Sequence, residues 1–342
     1  MKFFEGFSKK PKSELEEERI SDEQVDQSKR NFLVGVGATA VATAVPKTAE
    51  AMLMEEAVEP TDSALFHEDV KTVSWKYESD MPFVLDKGRQ RDEELGGMTK
   101  AEYLASHLQF DFEDEAPILA SELKRLIVGL AIVESRFDSS RVSKDKAEGD
   151  LQFIPSTWAE HAEEGMDPRS IKDQVVVANK LFNQTYRYLT QQCQAEFLQI
   201  QTNFFSESES GTGKFNEDFQ EMFLTPVMLN AHNCGMGTIK KVVKWFVGEY
   251  PTPESTIDAL EVDHPHTGYD AFRVMSLNAD YEESVKYYRS DASTYVFNVY
   301  AATLALHNYL TPDDMYFLLG SQSKIAIVND SPHAVVVGDG LS

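Results

Sequence analysis

Glu134 is the residue best placed in this sequence to do acid–base chemistry. It closes an apolar run in which Leu126, Ile127, Leu130, Ala131 and Val133 recur at near-helical spacing, which predicts a mostly buried helix up to Val133. A carboxyl group at the end of such a helix is poorly solvated, and desolvation favours its neutral form. A carboxyl that stays neutral near pH 7 is a proton donor. A lone glutamate where a helix surfaces is usually only a solvated residue, so the weight falls on the residues C-terminal to it. Ser143 comes next, then Gly149-Asp150-Leu151-Gln152-Phe153-Ile154-Pro155 and Trp158. Two further polar–aromatic blocks lie downstream, Ala231-His232-Asn233-Cys234-Gly235-Met236-Gly237 and Asp291-Ala292-Ser293-Thr294-Tyr295-Val296.

These blocks resemble, in order, the motifs of the lytic transglycosylase family, whose fold is shared with goose-type lysozyme. The family's Glu-Ser stands as Glu134-Ser135 and its later Ser as Ser143. Its G-L-M-Q-x-M-P stands as Gly149 to Pro155, its A-Y-N-A-G-x-G as Ala231 to Gly237, and its E-T-x-x-Y-V as Asp291 to Val296. The likeness covers roughly residues 115 to 310; one block is weak evidence, but three in order are specific. It implies a mainly α, lysozyme-like (soluble lytic transglycosylase) domain that cleaves the MurNAc–GlcNAc β-1,4 bond of peptidoglycan, leaving 1,6-anhydro-MurNAc ends. In that scheme Glu134 protonates the leaving oxygen, then removes the proton from the sugar's own 6-hydroxyl, and no water is consumed.

The same resemblance implies substrate-binding roles for six residues. Ser143 and Gln152 would bond the sugar and its N-acetyl group, Asn233 would position the reacting ring, and Tyr295 would lie near Glu134. Asp291, shorter than the family's Glu, would support the site. His232 replaces a Tyr, keeping a hydrogen-bond donor but adding a titrating group. Each has a plainer reading: Ser143 as a cap, Gln152 as a loop anchor, Tyr295 as core. Asp150 replaces a Leu. In an extended segment it would share a face with Gln152, either raising the proton affinity of Glu134 or facing solvent. It is also the one serious candidate for the second carboxylate that hydrolysis normally needs. The alternatives are therefore a hydrolytic muramidase on the same fold, a degenerate peptidoglycan-binding module, and a scaffold docking cell-wall machinery through its insertions.

The rest of the chain frames these blocks. A length of 342 residues with 42% hydrophobic content allows a sizeable core and about two domains. The net charge of −25 argues against a nucleic-acid or anionic-membrane partner. Cys193 and Cys234 are the two cysteines; no Cys/His spacing suggests a metal, and no cofactor is expected. If the protein is exported, they could form one disulfide. Residues 1–51 read as an export signal. Ser28-Lys29-Arg30-Asn31-Phe32-Leu33 resembles a twin-arginine motif, the apolar run to Val45 is too short to span a bilayer, and Ala49-Glu50-Ala51 offers a cleavage site. This predicts a periplasmic protein.

Residues 52–97 read as a linker or loosely packed arm, and 98–320 as the catalytic domain. Thr99 is expected to cap a helix, as is Ser170 before the long amphipathic stretch from Ile171 to Leu189. Insertions near 191–224 and 248–290 would wall the cleft or meet a protein partner. The Ser206–Gly213 tip reads as an exposed loop, and His264-Pro265-His266 as a rigid polar turn and not a metal site. The tail, 321–342, has two strand-like runs.

Overall fold

The computed structural model describes residues 64–88, 91–205, 215–259, 267–279, 282, 285, 288 and 290–309. The export signal, the Ser206–Gly213 tip, His264-Pro265-His266 and the tail lie outside the described residues. The described part is mainly helical; its only β features are isolated bridges, Asp92 with Met98 and Glu148 with both Val142 and Phe153.

The axis of the fold is a long helix running from Pro117 to Glu134. Proline at its start has the fixed φ a first turn needs. Leu119, Leu123, Leu126, Ile127, Leu130 and Ala131 are all buried, so the helix is apolar nearly all round and sits inside the molecule. Numbered in chain order, the helices are α1 (Ala64–Glu78), α2 (Met81–Gly88), α3 (Lys100–His107), α4 (Pro117–Glu134), α5 (Pro155–His161), α6 (Ile171–Gln192) and α7 (Gln194–Phe204). They continue with α8 (Glu217–Phe219), α9 (Thr225–Cys234), α10 (Met236–Glu249), α11 (Gly268–Ala279) and α12 (Ser290–Tyr309). The two expected caps are in place: Thr99 Oγ1 accepts from the Glu102 amide at 3.1 Å, and Ser170 Oγ from the Asp173 amide at 3.4 Å.

α12 lies against α4. At their crossing Gly129 has no room for a side chain: a Cβ there would stand 2.1 Å from Thr303 Oγ1 and 2.7 Å from the Val299 carbonyl. The absence of a methyl group lets the two backbones approach closely enough to bring residues near their ends into hydrogen-bond range.

The arm expected at 52–97 is not loose where it is described. α1 packs along α12, and Phe66, Tyr77, Met81 and Val84 are buried. Each such side chain contributes about 1.5–3 kcal/mol when fully buried. Phe66 stacks on Tyr269 with ring centroids 4.7 Å apart, its amide donates to Asp270 Oδ1 at 2.8 Å, and Arg273 Nε bonds Asp69 Oδ2 at 2.5 Å. The α1–α2 pair is part of the same helical body as α4 and α12; its apolar residues are too interspersed with charge to announce this locally.

The insertions are likewise built into the core. α7 contributes buried Phe197, Ile200 and Phe204, and α11 contributes Phe272, Val274 and Met275. A π-helical turn, Gln220–Leu224, joins α8 to α9. The disulfide expectation fails. Both cysteines are free thiols, with Cys193 buried between α6 and α7 and Cys234 Sγ donating to the Asn230 carbonyl at 3.2 Å.

Candidate active site

Glu134 is the last residue of α4, where the apolar helix meets the cleft. Its side chain keeps 19% of its surface open. Burial drives its pKa up to about 7, against weaker downward pulls from a hydrogen bond to Tyr295 and from the charge of Arg141. The Tyr295 hydroxyl, from α12, donates to Glu134 Oε1 at 2.6 Å. That bond leaves Oε2 as the natural seat of the acidic proton. Burial and the neighbouring carboxylate hold the Tyr295 phenol far above its ordinary range, so it acts only as a neutral donor.

His232 stands on α9 with Nε2 3.9 Å from Glu134 Oε1 and its side chain 5% exposed. The ring lies parallel to Phe182, with centroids 6.1 Å apart, and meets the edge of Phe153. Burial pushes its pKa down to about 4, against an opposing pull from the Leu151 backbone. At neutral pH the ring is uncharged, so the approach to Glu134 is not an ion pair. Its Nδ1 is buried without a hydrogen-bond partner. Asn233, the next residue, is exposed on the last turn of α9. Asp291 is exposed in the first turn of α12, one turn before Tyr295.

The segment after Glu134 is a tight backbone construction. Ser135 Oγ donates to the Asp150 carbonyl at 2.9 Å and accepts from the Phe137 amide at 3.0 Å. Arg136 and Phe137 then adopt left-handed φ values of 59° and 62°, unusual for residues with a Cβ. Ser143 Oγ accepts from the amides of Asp145 at 3.2 Å and Ala147 at 3.0 Å, closing a turn. Gln152, at φ 51°, donates its amide to the carbonyls of Arg141 at 3.0 Å and Gly149 at 2.8 Å. Both side chains thus hold the loop together, Gln152 as the loop anchor of its plainer reading and Ser143 closing a turn where no helix begins, and their other hydrogen-bonding capacity is what a ligand could use. Gly149, at φ 83°, is needed where it is: a Cβ would lie 2.2 Å from the Pro168 carbonyl.

Asp150 departs from both expectations. The left-handed Gln152 breaks the extended geometry that would have put the two side chains on one face. Asp150 is fully buried behind the loop, 3.3 Å from Lys100 Nζ with both carboxylate oxygens, and accepts from Ser139 Oγ at 3.1 Å. Lys100 also donates a short hydrogen bond to Ser139 Oγ. Asp150 is not among the groups that set the proton affinity of Glu134.

Several residues at the site carry no motif. Tyr77 of α1 donates to Asn298 Oδ1 of α12 at 2.8 Å, and its phenol is raised by burial and, more weakly, by the charges of Asp80 and Glu134. Asp80, in the α1–α2 turn, pairs with Arg136 Nε at 2.9 Å. Behind His232, Asn230 Nδ2 donates to the Tyr288 hydroxyl at 2.5 Å, and that hydroxyl also meets Ser276 Oγ at 2.6 Å. The α9 end is therefore tied to α11 by a buried polar chain.

Residues 120–246 match the family model of the transglycosylase SLT domain. The matched span holds Glu134, Ser143, Gln152, His232 and Asn233, whereas Asp80, Asp291 and Tyr295 lie beyond its ends. Comparison with curated proteins and with solved structures returned no match. The match supports lytic transglycosylase activity in general terms and implies peptidoglycan as the substrate class.

Proposed function

We propose, from the premise that residues 120–246 are a transglycosylase SLT domain, that this protein cleaves the MurNAc–GlcNAc β-1,4 bond without water and releases 1,6-anhydro-MurNAc ends. One observation carries the reading: burial raises the pKa of one carboxyl group, Glu134, to about 7, with a tyrosine hydroxyl bonded to one of its oxygens. Glu134 donates the proton from Oε2 to the leaving glycosidic oxygen. The resulting carboxylate takes the proton of the sugar's 6-hydroxyl, which attacks the anomeric carbon from within the same ring. An intramolecular nucleophile has a large effective-concentration advantage. Hydrolysis would want a second carboxylate to activate water or form a covalent intermediate, and Asp150 is committed to Lys100.

Neutral His232 and Asn233 on α9, with Asp291 and Tyr295 on α12, flank the acid as sugar-binding candidates, and Ser143 and Gln152 shape the loop facing them. Digestion of purified sacculi, with soluble fragments weighed by mass spectrometry, tests this directly. Anhydro ends are expected; ends heavier by one water would establish a muramidase instead, and binding without release would establish a degenerate module. We also infer export to the periplasm, on the strength of Lys29-Arg30 before the short apolar run. Replacing both by Gln should leave precursor in the cytoplasm, and unchanged delivery would refute the route.

A further inference from the structure

We propose that Tyr288 and Ser276 are positioning residues for this reaction: through one buried hydrogen-bonded chain they fix α9 against α12, and so fix how closely His232 and Tyr295 approach Glu134. The inference rests on the reading of Glu134 as the acid. Both residues come from the second insertion, outside the matched segment. The chain has one consistent direction. Ser276 Oγ donates to the Ser293 carbonyl at 2.9 Å, which uses its only proton, so the Tyr288 hydroxyl donates to Ser276 at 2.6 Å. The same hydroxyl accepts from Asn230 Nδ2 at 2.5 Å. Asn230 and Ser276 are fully buried, and Tyr288 and Ser293 nearly so. Polar groups shut away from water in this way are costly unless each is bonded, and here every bond crosses from one element to another.

The two ends of the chain lie directly behind the two groups nearest the acid. Asn230 precedes His232 by two positions on α9, and Ser293 precedes Tyr295 by two on α12. Residues two apart on a helix point about 200° from one another, so Asn230 faces the rear while the His232 ring faces Glu134. His232 Nε2 and the Tyr295 hydroxyl approach the same atom, Glu134 Oε1, at 3.9 and 2.6 Å, with their rings 6.5 Å apart. The spacing of these two groups therefore depends on how α9 is set against the first turn of α12. α9 is a short helix of ten residues between a π-helical turn and Gly235, whose φ is 84°. The chain holds it from the side away from the acid, and Tyr288 also reaches the Ala292 carbonyl at 3.4 Å, in the same turn of α12. A ring of contacts thus closes from Glu134 through Tyr295, Ser293, Ser276, Tyr288, Asn230 and His232.

The test is Tyr288→Phe, which cuts the chain and keeps the ring. It is read in the full chain by kinetics on a soluble peptidoglycan fragment and by ¹³C NMR titration of the Glu134 carboxyl. The kcat should fall about ten-fold with KM within about two-fold, the cost of a small misplacement of the groups around the acid. The Glu134 pKa should rise by roughly a few tenths of a unit, because the Tyr295 hydroxyl that pulls it down is held less closely. Tyr77 and Arg141, which also interact with that carboxyl, are untouched by the substitution. In a Tyr295→Phe background the same change should leave the pKa where Tyr295→Phe puts it. If the chain served only to hold the fold, the denaturation midpoint would drop while the titration, run well below it, matched the parent's. That result overturns the proposal, as does an equal pKa rise in the Tyr295→Phe background, or an unmoved kcat where Glu134→Gln is inactive. Should Tyr288→Phe not fold, Ser276→Ala carries the same test. The NMR readout does not depend on turnover, so failure of the transglycosylase reading would leave the shift intact and show separately, as full activity in Glu134→Gln.

Discussion

Glu134 and Asp150 are two carboxyl groups enclosed within one short stretch of chain, and burial pushes the proton affinity of both upward. They differ in what answers that burial. Asp150 is met by an ammonium group at 3.3 Å and a serine hydroxyl at 3.1 Å, which favour its charged form and make it a structural anion. Glu134 is met by one neutral hydroxyl, with no cation paired to it among the described residues. Desolvation alone therefore does not keep a carboxyl ready to give up a proton near neutrality; desolvation without a bonded cation does. Lys100 serves Asp150, and Tyr295 serves Glu134.

The strongest way to break the comparison is Glu134→Gln. Turnover should fall by about 10²- to 10⁴-fold, the range for loss of a positioned proton donor, while circular dichroism stays unchanged. The same variant should be more stable than the parent at pH 8. A folded-state pKa of about 7 against an ordinary 4.5 means the native state binds the proton more tightly. Stability is then fully present below pH 4.5 and is lost as pH rises through 7, a cost of about 3 kcal/mol that Gln avoids. Equal denaturation midpoints for both proteins at pH 8 would refute the raised pKa.

Lys100→Met attacks the other side. It strands Asp150 as an uncompensated buried anion and should cost about 3–5 kcal/mol, whereas Lys100→Met with Asp150→Leu should come back near the parent. Chemical denaturation measures both, and a double variant no better than Lys100→Met would show that the pair is not the source of the cost. Tyr295→Phe should have a smaller effect. Its hydroxyl favours the charged form of Glu134, so removing it should move the alkaline limb of the pH–activity profile upward and change turnover at the optimum less than ten-fold. A downward shift of the limb would contradict the assigned direction of that bond. The smallest effect belongs to Arg141→Gln, which should raise the same limb by a few tenths of a pH unit because the charge acts without a bond.

The legibility of the sequence divides along the same line. Glu134 and Tyr295 sit in separate motif blocks, and the 2.6 Å bond between them is what a shared block order leads one to expect. Thr99 and Ser170 announce their helices because capping is a local signal. Lys100 as the partner of Asp150 is not legible: fifty positions separate them, and a buried ion pair leaves no periodic trace. The left-handed Gln152 is hidden too, since nothing in its type requires φ 51°. The α1–α2 pair reads as a loose arm because its inward residues, Phe66, Val70, Tyr77 and Met81, are interleaved with charge and followed by Pro82. Its hydrophobic stripe makes sense only once α12 is there to receive it.

The close crossing at Gly129 bears on how freely parts of this protein can be exchanged. Glu134 belongs to the matched SLT segment and Tyr295 to a helix beyond it, yet both hang from backbones that touch where a single methyl group would not fit. A relative's segment grafted over residues 120–246 would keep its acid, but would inherit the acid's hydrogen bond only if it also carried a glycine facing Val299 and Thr303. The unit that can be transplanted with its hydrogen bond is therefore α4 together with α12, which reaches beyond the end of the matched segment at residue 246.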